Sequence, residues 1–167
     1  VFNLNYNFSL KSNAIMIENL LGDEYFMKKA ILEAEMAFEK NEVPVGAIIV
    51  SKNKIIARAH NLTEQLTDFT AHAEMQVFTA ASEYLQNKYL NECTLYVTLE
   101  PCLMCAGAAF WTRIGRIVYG ASDPKRGFQS KAKDVLHPST VLKGGVLENE
   151  CSTIIKTFFL NKRINPN

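Results

Sequence analysis

The chain has 167 residues, of which 48% are hydrophobic and 21% charged, a composition typical of one globular domain with a full core. No apolar run is long enough to cross a membrane, and residues 1–15 do not read as a signal peptide. The net charge is only +1, but it is unevenly distributed: residues 1–110 carry 8 Lys and Arg against 13 Asp and Glu, whereas residues 111–167 carry 10 against 4. The net charge is therefore −5 for residues 1–110 and +6 for residues 111–167. This difference indicates either a basic surface that binds a polyanion or a basic face that is only solvated.

The order of predicted elements starts after an unpatterned, Asn-rich stretch, residues 1–22, which we expect to be a loosely ordered extension of a single domain over 23–167. Helical periodicity begins at Asp23, the predicted N-cap, and stops near Asn41. The elements predicted after that helix are strands over GAIIV and IIARAH around an SKNK turn, a helix over 71–85, a strand over 94–99, a helix over 102–113, a strand over 116–120, loops over 121–140, a strand near 145–147 and a helix over about 148–162. This alternation predicts a layered α/β domain.

The last predicted helix carries Ile154, Ile155, Phe158 and Phe159 at the spacing of one apolar face. The helix over 102–113 differs, because its AGAAFW segment is apolar on every side. Since a helix of this kind needs to be covered all round, one of its sides is predicted to face a second subunit.

Four cysteines are present, and two of them, Cys102 and Cys105, form a C-x-x-C pair. Nothing in the sequence indicates secretion, so metal binding or redox chemistry is expected rather than a disulfide framework. The isolated Cys93 and Cys151 are predicted to serve packing. We expect a reducing, cytoplasmic location.

Two short segments, Ala71–Glu74 and Pro101–Cys105, each fall where a helix should begin. Cys102 and Cys105 are spaced i, i+3, so they share one face of a first turn whose macrodipole favours thiolates. With His72 they make a Cys2His set that leaves one zinc position open for water, the arrangement of catalytic rather than structural zinc. If Glu74 were a fourth ligand, it would occupy this open position and exclude the water. We therefore assign Glu74 as the general acid and base rather than as a ligand.

Neither segment is specific alone, since a C-x-x-C pair also suits redox or structural metal sites and a His-x-Glu is often a surface or capping feature. The combination is far more specific, because His60 and His137, the other two histidines, lack comparable neighbours. Its order and its position at helix starts match the H-x-E and P-C-x-x-C signature of zinc deaminases.

Longer matches extend this signature over about residues 23–163. The segments that carry the resemblance are EVPVGA (42–47), TAHAE (70–74), TLEPCLMCAGA (98–108) and GASDPKRG (120–127). On these residues the sequence resembles the bacterial tRNA-specific adenosine deaminases. The resemblance implies a three-layer α/β/α, cytidine-deaminase-like fold with a five-stranded mixed sheet, one zinc per chain and a homodimer. It also implies hydrolytic conversion of adenosine to inosine in RNA, most often at the wobble position of a tRNA anticodon stem-loop.

The resemblance also implies residue roles. Asn61 would hydrogen-bond the flipped base, although an ordinary turn residue is the alternative; Asp123 would lie near the ribose, although an Asx turn explains it equally well. The other implied substrate contacts are Pro44, Val45, Ala73, Phe158 and Phe159, the last two on a C-terminal helix that closes over the RNA. Departures from the family at Phe69, where Pro is frequent, and at Phe110–Trp111 affect the expected RNA context but not the metal ligands.

Three rival functions remain. A deaminase of a free base or nucleoside, of the guanine or cytosine type, would share the zinc motif but would not need a basic C-terminal third. An inactive zinc-bound RNA-binding module would not need Glu74. A thiol oxidoreductase acting through Cys102 and Cys105 would leave His72 and Glu74 unexplained.

Overall fold

A computed structural model describes residues 22–132 and 134–164. Apart from Gly22, the predicted N-terminal extension lies outside the described residues. The elements are α1 Asp23–Glu39, β1 Gly46–Ser51, β2 Lys54–His60, α2 Ala73–Leu85, β3 Cys93–Leu99, α3 Leu103–Thr112, β4 Arg116–Ala121, a 3-10 turn Phe128–Ser130, β5 Val141–Lys143 and α4 Glu148–Ile164. All four predicted helices and four of the five predicted strands are confirmed to within about two residues.

The five strands form one mixed sheet in the order β2-β1-β3-β4-β5. β1 pairs antiparallel with β2 and with β3, whereas β3, β4 and β5 run parallel to one another. The predicted turn between β1 and β2 is made by Lys52 and Asn53, both with positive φ. Two consecutive residues in the left-handed region match the twist of a two-residue hairpin, which explains how so short a turn reverses the chain.

Alternate residues of the sheet face two separate helical layers. Ala47 and Ile49 of β1 pack in a cluster with buried residues of α2 and α3, while Ile48 and Val50 pack with α1 and α4. This period-two division is what a strand buried on both faces requires. The three-layer α/β/α architecture is therefore confirmed.

The strand predicted near residues 145–147 is wrong. The fifth strand is Val141–Lys143, which pairs with β4 from Arg116↔Val141 onwards. Gly145 and Leu147 have φ values of +80° and +53°, and this left-handed backbone cannot continue a strand. β5 escaped the pattern because it is short and lies at the sheet edge, with Val141 and Lys143 exposed.

The N-terminus of α1 is held by an ion-pair cluster rather than by the predicted cap. Asp23 is the first helical residue and Gly22 is the N-cap. The Asp23 carboxylate accepts two hydrogen bonds from the Arg116 guanidinium at 2.7 and 2.8 Å, one from Lys143 Nζ at 2.6 Å and one from the Tyr96 hydroxyl at 3.0 Å. One carboxylate thus ties α1 to β3, β4 and β5.

We expect Asp23→Asn to lower the free energy of unfolding by about 2 kcal/mol at pH 7, since charge-assisted bonds are lost. The hydrogen bonds from Arg116 hold the pKa of Asp23 well below its usual range. A group with a depressed folded-state pKa stabilises fully above its unfolded pKa of about 4, and this stabilisation declines as the pH falls further. In urea unfolding, the difference in unfolding free energy between wild type and Asp23→Asn should therefore be constant from pH 7 to 5 and become smaller below pH 4. A difference independent of pH would contradict the ionic origin, and Lys143→Gln, at a half-exposed side chain, should cost less.

Among the described residues, no helix is both long and apolar enough to cross a membrane. This finding agrees with the hydropathy of the sequence.

Candidate active site

The site is built where the N-termini of α2 and α3 meet on one face of the sheet. His72 is the N-cap of α2 and Cys102 is the N-cap of α3, and neither side chain caps its own helix. The side chains of His72 and Cys102 are therefore free to bind a ligand or to contact each other. The positive ends of two helix dipoles converge here and favour anionic groups such as thiolates.

The predicted ligands form a compact triangle. His72 Nδ1 lies 3.7 Å from Cys102 Sγ and 3.5 Å from Cys105 Sγ, and the two sulfurs are 3.7 Å apart. Tetrahedral zinc, with Zn–S of about 2.3 Å and Zn–N of about 2.0 Å, would place two sulfurs about 3.8 Å apart and a sulfur and a nitrogen about 3.5 Å apart. The three atoms fit a zinc ion within about 0.2 Å, which is the tolerance expected of a genuine site.

Among the described residues, this triangle is the one group of three or more His, Cys, Asp or Glu side chains close enough to hold a metal. Cys93 and His60 lie outside it, so the structure offers the ion three protein ligands and no fourth from these two. All four cysteines are free, and the 3.7 Å between the sulfurs of Cys102 and Cys105 is not a disulfide bond. A histidine nitrogen at this distance from both sulfurs is compatible with a metal site.

The three ligand groups differ in how readily they lose a proton. Contact with the Cys105 thiol, aided by the His72 imidazole, lowers the pKa of Cys102 to about 4. Contact with Cys102 and burial raise the pKa of Cys105 well above its usual range, and contact with Cys102 also raises the pKa of His72. Cys102 therefore favours the thiolate, the form that binds metal, whereas Cys105 and His72 would release their protons when a metal binds.

Glu74 is the second residue of α2 and is only 4% exposed. Its carboxylate lies outside the triangle of ligand atoms, although it contacts Cys105. Burial raises the pKa of Glu74 above its usual range. A buried carboxyl group beside a metal site, and not part of the ligand set, has the position and the chemistry of a proton carrier.

One wall of the site is the loop between β2 and α2, and it is held at both ends. Leu62 N–H donates to the Ala71 carbonyl at 3.1 Å, one residue before His72. The Gln76 side chain donates to the carbonyls of His60, at 2.7 Å, and of Ala71, at 3.1 Å. These bonds join the end of β2 to the start of α2, so the residue before Leu62, Asn61, is brought to the same end of α2 as the candidate ligand His72.

The opposite wall is the loop after β4, which is held by buried Glu100. The Glu100 carboxylate accepts from the main-chain N–H groups of Asp123 at 3.1 Å and Gln129 at 3.0 Å. Gly127 pairs directly with Cys102 and lies so close to Glu100 that a Cβ would come 2.4 Å from its carboxyl carbon. Only glycine fits there, which explains a glycine in a turn that touches a metal ligand.

The other predicted substrate residues lie on several parts of the chain around the metal group. The Val45 carbonyl accepts from Asn61 N–H at 3.0 Å, so Val45 lies beside Asn61. Pro44, which precedes Val45, and Ala73, which follows His72, are both buried. The Asp123 carboxylate accepts from the N–H groups of Lys125 and Arg126, which is the Asx turn considered from the sequence.

The two predicted aromatic residues of α4 differ in burial. Phe158 is 5% exposed and packs edge-to-face against Phe38 of α1, whereas Phe159 is 47% exposed. The predicted apolar face is therefore buried at Phe158 but not at Phe159, because adjacent helical residues point in directions about 100° apart. Of the two, only Phe159 offers substantial surface to a ligand.

Two residues of the site escaped the sequence reasoning, which gave no role to Glu42 or Glu100. Both carboxylates are buried and each holds one of the two loops beside the metal group. A signal was present for Glu100, an acidic residue between Leu99 and Pro101, two positions before Cys102. Glu42 follows the polar run 39–41, so the sequence around it gave no such signal. A buried acid in such a place is costly unless it has several donors, and loop N–H groups supply them.

Comparison with known proteins agrees with this geometry. The family described as MafB19-like deaminase matches residues 22–163. A tRNA-specific adenosine deaminase of Aquifex aeolicus is 45% identical over 87% of this chain and 99% of its own length, and one of Bacillus subtilis is 47% identical over 84% and 91%. A solved structure from studies of A-to-I editing by tRNA:A34 deaminases at the wobble position superposes with a TM-score of 0.72 at 43% identity, over 78% of this chain and 98% of that one. The chain belongs to the MafB19-like deaminases and to the family of tRNA-specific adenosine deaminases.

Proposed function

We propose that this protein hydrolytically deaminates adenosine to inosine in tRNA, at the wobble position of an anticodon stem-loop. The observation that carries the proposal is the triangle of His72, Cys102 and Cys105 with buried Glu74 beside it, in a chain 45–47% identical to tRNA-specific adenosine deaminases. One zinc per chain would be held by the three ligand atoms. When bound, zinc lowers the pKa of a water molecule in its remaining position towards neutrality.

The protein's own residues supply the proton transfers and the binding. Glu74 accepts a proton from the attacking water and delivers it to the purine ring nitrogen. It then carries the second proton from the hydroxyl group added at C6 to the exocyclic amine, which leaves as ammonia. Because Glu74 is buried beside Cys105, its proton is exchanged with the substrate rather than with bulk solvent. The wall of Pro44, Val45, Asn61 and Ala73 would receive the base, which leaves its stack most easily in a single-stranded loop.

The basic C-terminal third has its best-placed charges beside the site. Lys125 and Arg126 are exposed on the loop whose Gly127 pairs with Cys102. Phosphate groups of the anticodon loop would meet these two side chains at the rim of the site. We therefore infer that Lys125 and Arg126 bind the RNA backbone, and that exposed Phe159 adds an apolar contact from α4.

The proposed substrate is tested with an anticodon stem-loop carrying adenosine at the wobble position, assayed beside guanine, cytosine and free adenosine. We expect inosine in the RNA and little turnover of the small molecules. Lys125→Gln with Arg126→Gln should lower kcat/KM for the RNA and reduce the slope of its logarithm against log salt by about 2, roughly 1 for each lost phosphate contact. Efficient guanine or cytosine turnover without inosine would contradict the tRNA assignment.

A matched control for this test is Lys52→Gln with Lys54→Gln. These exposed lysines lie at the hairpin between β1 and β2, at the opposite end of β1 from Val45 and Asn61. The control also removes two positive charges, but far from the site, so the salt dependence of kcat/KM should stay that of wild type. Substitutions are preferable to deletion of the C-terminal segment, since a deletion from Phe158 would also remove a buried side chain.

A homodimer formed through the face of α2 and α3 is also proposed. An open groove of about 720 Å³ there is lined by apolar residues of both helices, and Trp111 beside it is 78% exposed. So large an exposed aromatic residue is typical of interface centres. The reducing, cytoplasmic location expected from the sequence would keep Cys102 and Cys105 reduced and able to bind the metal.

Trp111→Asp is expected to weaken the dimer about 30-fold or more, because a charge would replace an interface anchor. Sedimentation velocity over a concentration series measures the change. Leu32→Asp is the control, since Leu32 is 48% exposed on α1, the helix layer on the other side of the sheet. A wild type that is monomeric at high concentration would contradict the proposal.

A further inference from the structure

Glu42 is a fully buried carboxylate that does not touch the metal group. It lies between the end of α1 and the start of β1, and its exposure is 0%. Oε1 accepts from Gln65 N–H at 2.7 Å, and Oε2 accepts from Glu64 N–H at 3.1 Å, from the Asn61 amide nitrogen at 3.2 Å and from the Thr63 hydroxyl at 3.4 Å. Four donors converge on this one side chain, so it defines the path of residues 61–65.

The contact with Glu42 determines which way the Asn61 amide faces. An ionised carboxylate only accepts hydrogen bonds, so it selects Nδ2 of Asn61 and repels Oδ1. The second hydrogen of Nδ2 points to the Thr63 hydroxyl oxygen at 3.0 Å, and that hydroxyl donates in turn to Glu42. Both amide hydrogens are thereby used within the protein, and the atom that Asn61 has left to offer a ligand is the acceptor Oδ1.

We propose that Glu42 is a positioning residue for substrate recognition, which fixes Asn61 so that the pocket presents a hydrogen-bond acceptor to the flipped adenosine. This inference rests on the proposed function for the identity of the substrate. The N–H donors of the adenine base in a nucleoside are those of its exocyclic amine, the group that the reaction removes. In inosine that amine is replaced by a carbonyl oxygen, which an acceptor repels, so the same contact would favour substrate over product. A ribose hydroxyl is the other donor that the nucleoside can offer.

The first test substitution is Glu42→Gln. The new amide keeps the shape of the side chain but has only one acceptor oxygen for the four donors. Either its N–H group faces Asn61 and reverses the Asn61 amide, or it faces Gln65 N–H and displaces the 61–65 loop together with Asn61. We expect kcat/KM for the anticodon stem-loop to fall by about tenfold or more, mainly through KM, with the zinc content unchanged.

The decisive variant combines Glu42→Gln with Asn61→Asp. An aspartate has two acceptor oxygens, so one can accept from the amide introduced at position 42 while the other faces the substrate as the acceptor of wild type does. The double variant should recover most of the lost kcat/KM. Asn61→Asp alone should be the poorest enzyme of the set, because it places two buried carboxylates against each other.

A merely structural repair would appear as a higher melting temperature of the double variant than of Glu42→Gln, so recovery of kcat/KM at an equal melting temperature identifies a role in substrate recognition. Additive losses, or a double variant no better than Glu42→Gln, would overturn the inference. Glu100→Gln is the matched control: it weakens the other buried carboxylate clamp, and Asn61→Asp should not rescue it.

Two further comparisons complete the experiment. The four proteins are assayed on a stem-loop with 2′-deoxyadenosine at the target position: if the effect of Glu42→Gln persists, the donor is the amine, and if it disappears, the donor is the ribose 2′-hydroxyl. Wild type that forms no inosine would refute the proposed function itself, whereas active wild type with additive variants refutes only the role of Glu42.

Discussion

Glu74→Gln is expected to reduce kcat for the anticodon stem-loop by at least the 10²–10⁴-fold that general acid–base catalysis typically contributes. The loss should lie at or above the upper end of that range, since Glu74 serves two proton transfers in the proposed reaction. Glutamine has nearly the shape of glutamate but cannot carry a proton at neutral pH. Single-turnover assays with excess enzyme would measure the loss in the chemical step itself.

The same substitution should leave the fold and the metal content unchanged. Glu74 is buried and lies outside the triangle of ligand atoms, so an amide in its place removes no ligand and avoids burying a charge. The melting temperature should therefore stay equal to that of wild type or rise. If the variant lost zinc together with activity, Glu74 would be a ligand and its assignment as the acid and base would be wrong.

The metal group could be predicted from the sequence because short, fixed spacings determine it. The i, i+3 spacing of Cys102 and Cys105 at a helix start brings their sulfurs together whatever the rest of the fold does. His72 was identified because it shares its segment with Glu74. The helices and most strands followed from periodicity for the same reason, since each pattern repeats within one element.

What escaped prediction depends on contacts between distant parts of the chain. Glu42 binds residues 61–65 and Glu100 binds residues 123 and 129, and no local pattern reports such pairings. β5 was misplaced because its three residues pair with β4 at an edge and bury little. The burial of Phe158 likewise depends on Phe38 of a helix more than a hundred residues earlier.

Cys102→Ser is expected to remove the metal and to bring deamination below detection. Thiolate is the ligand that zinc prefers here, and Cys102 is the residue whose pKa is lowered to about 4 by its neighbours. A serine hydroxyl stays protonated at neutral pH and would leave only His72 and Cys105, too few to hold the ion. Elemental analysis of the purified protein should fall from one zinc per chain towards zero.

Cys93→Ser is the matched control, because Cys93 is a free thiol like Cys102 but is buried outside the triangle of ligand atoms. It should keep one zinc per chain and near-normal activity, with at most a modest loss of stability from placing a hydroxyl in the core. A chelator gives an independent readout: a ligand that binds only the folded state stabilises it, so chelation should lower the melting temperature of wild type and of Cys93→Ser but not of Cys102→Ser. Zinc retained at full occupancy by Cys102→Ser would contradict the assigned ligand set, and a chelator-insensitive wild type with a disulfide between Cys102 and Cys105 would instead favour the thiol oxidoreductase.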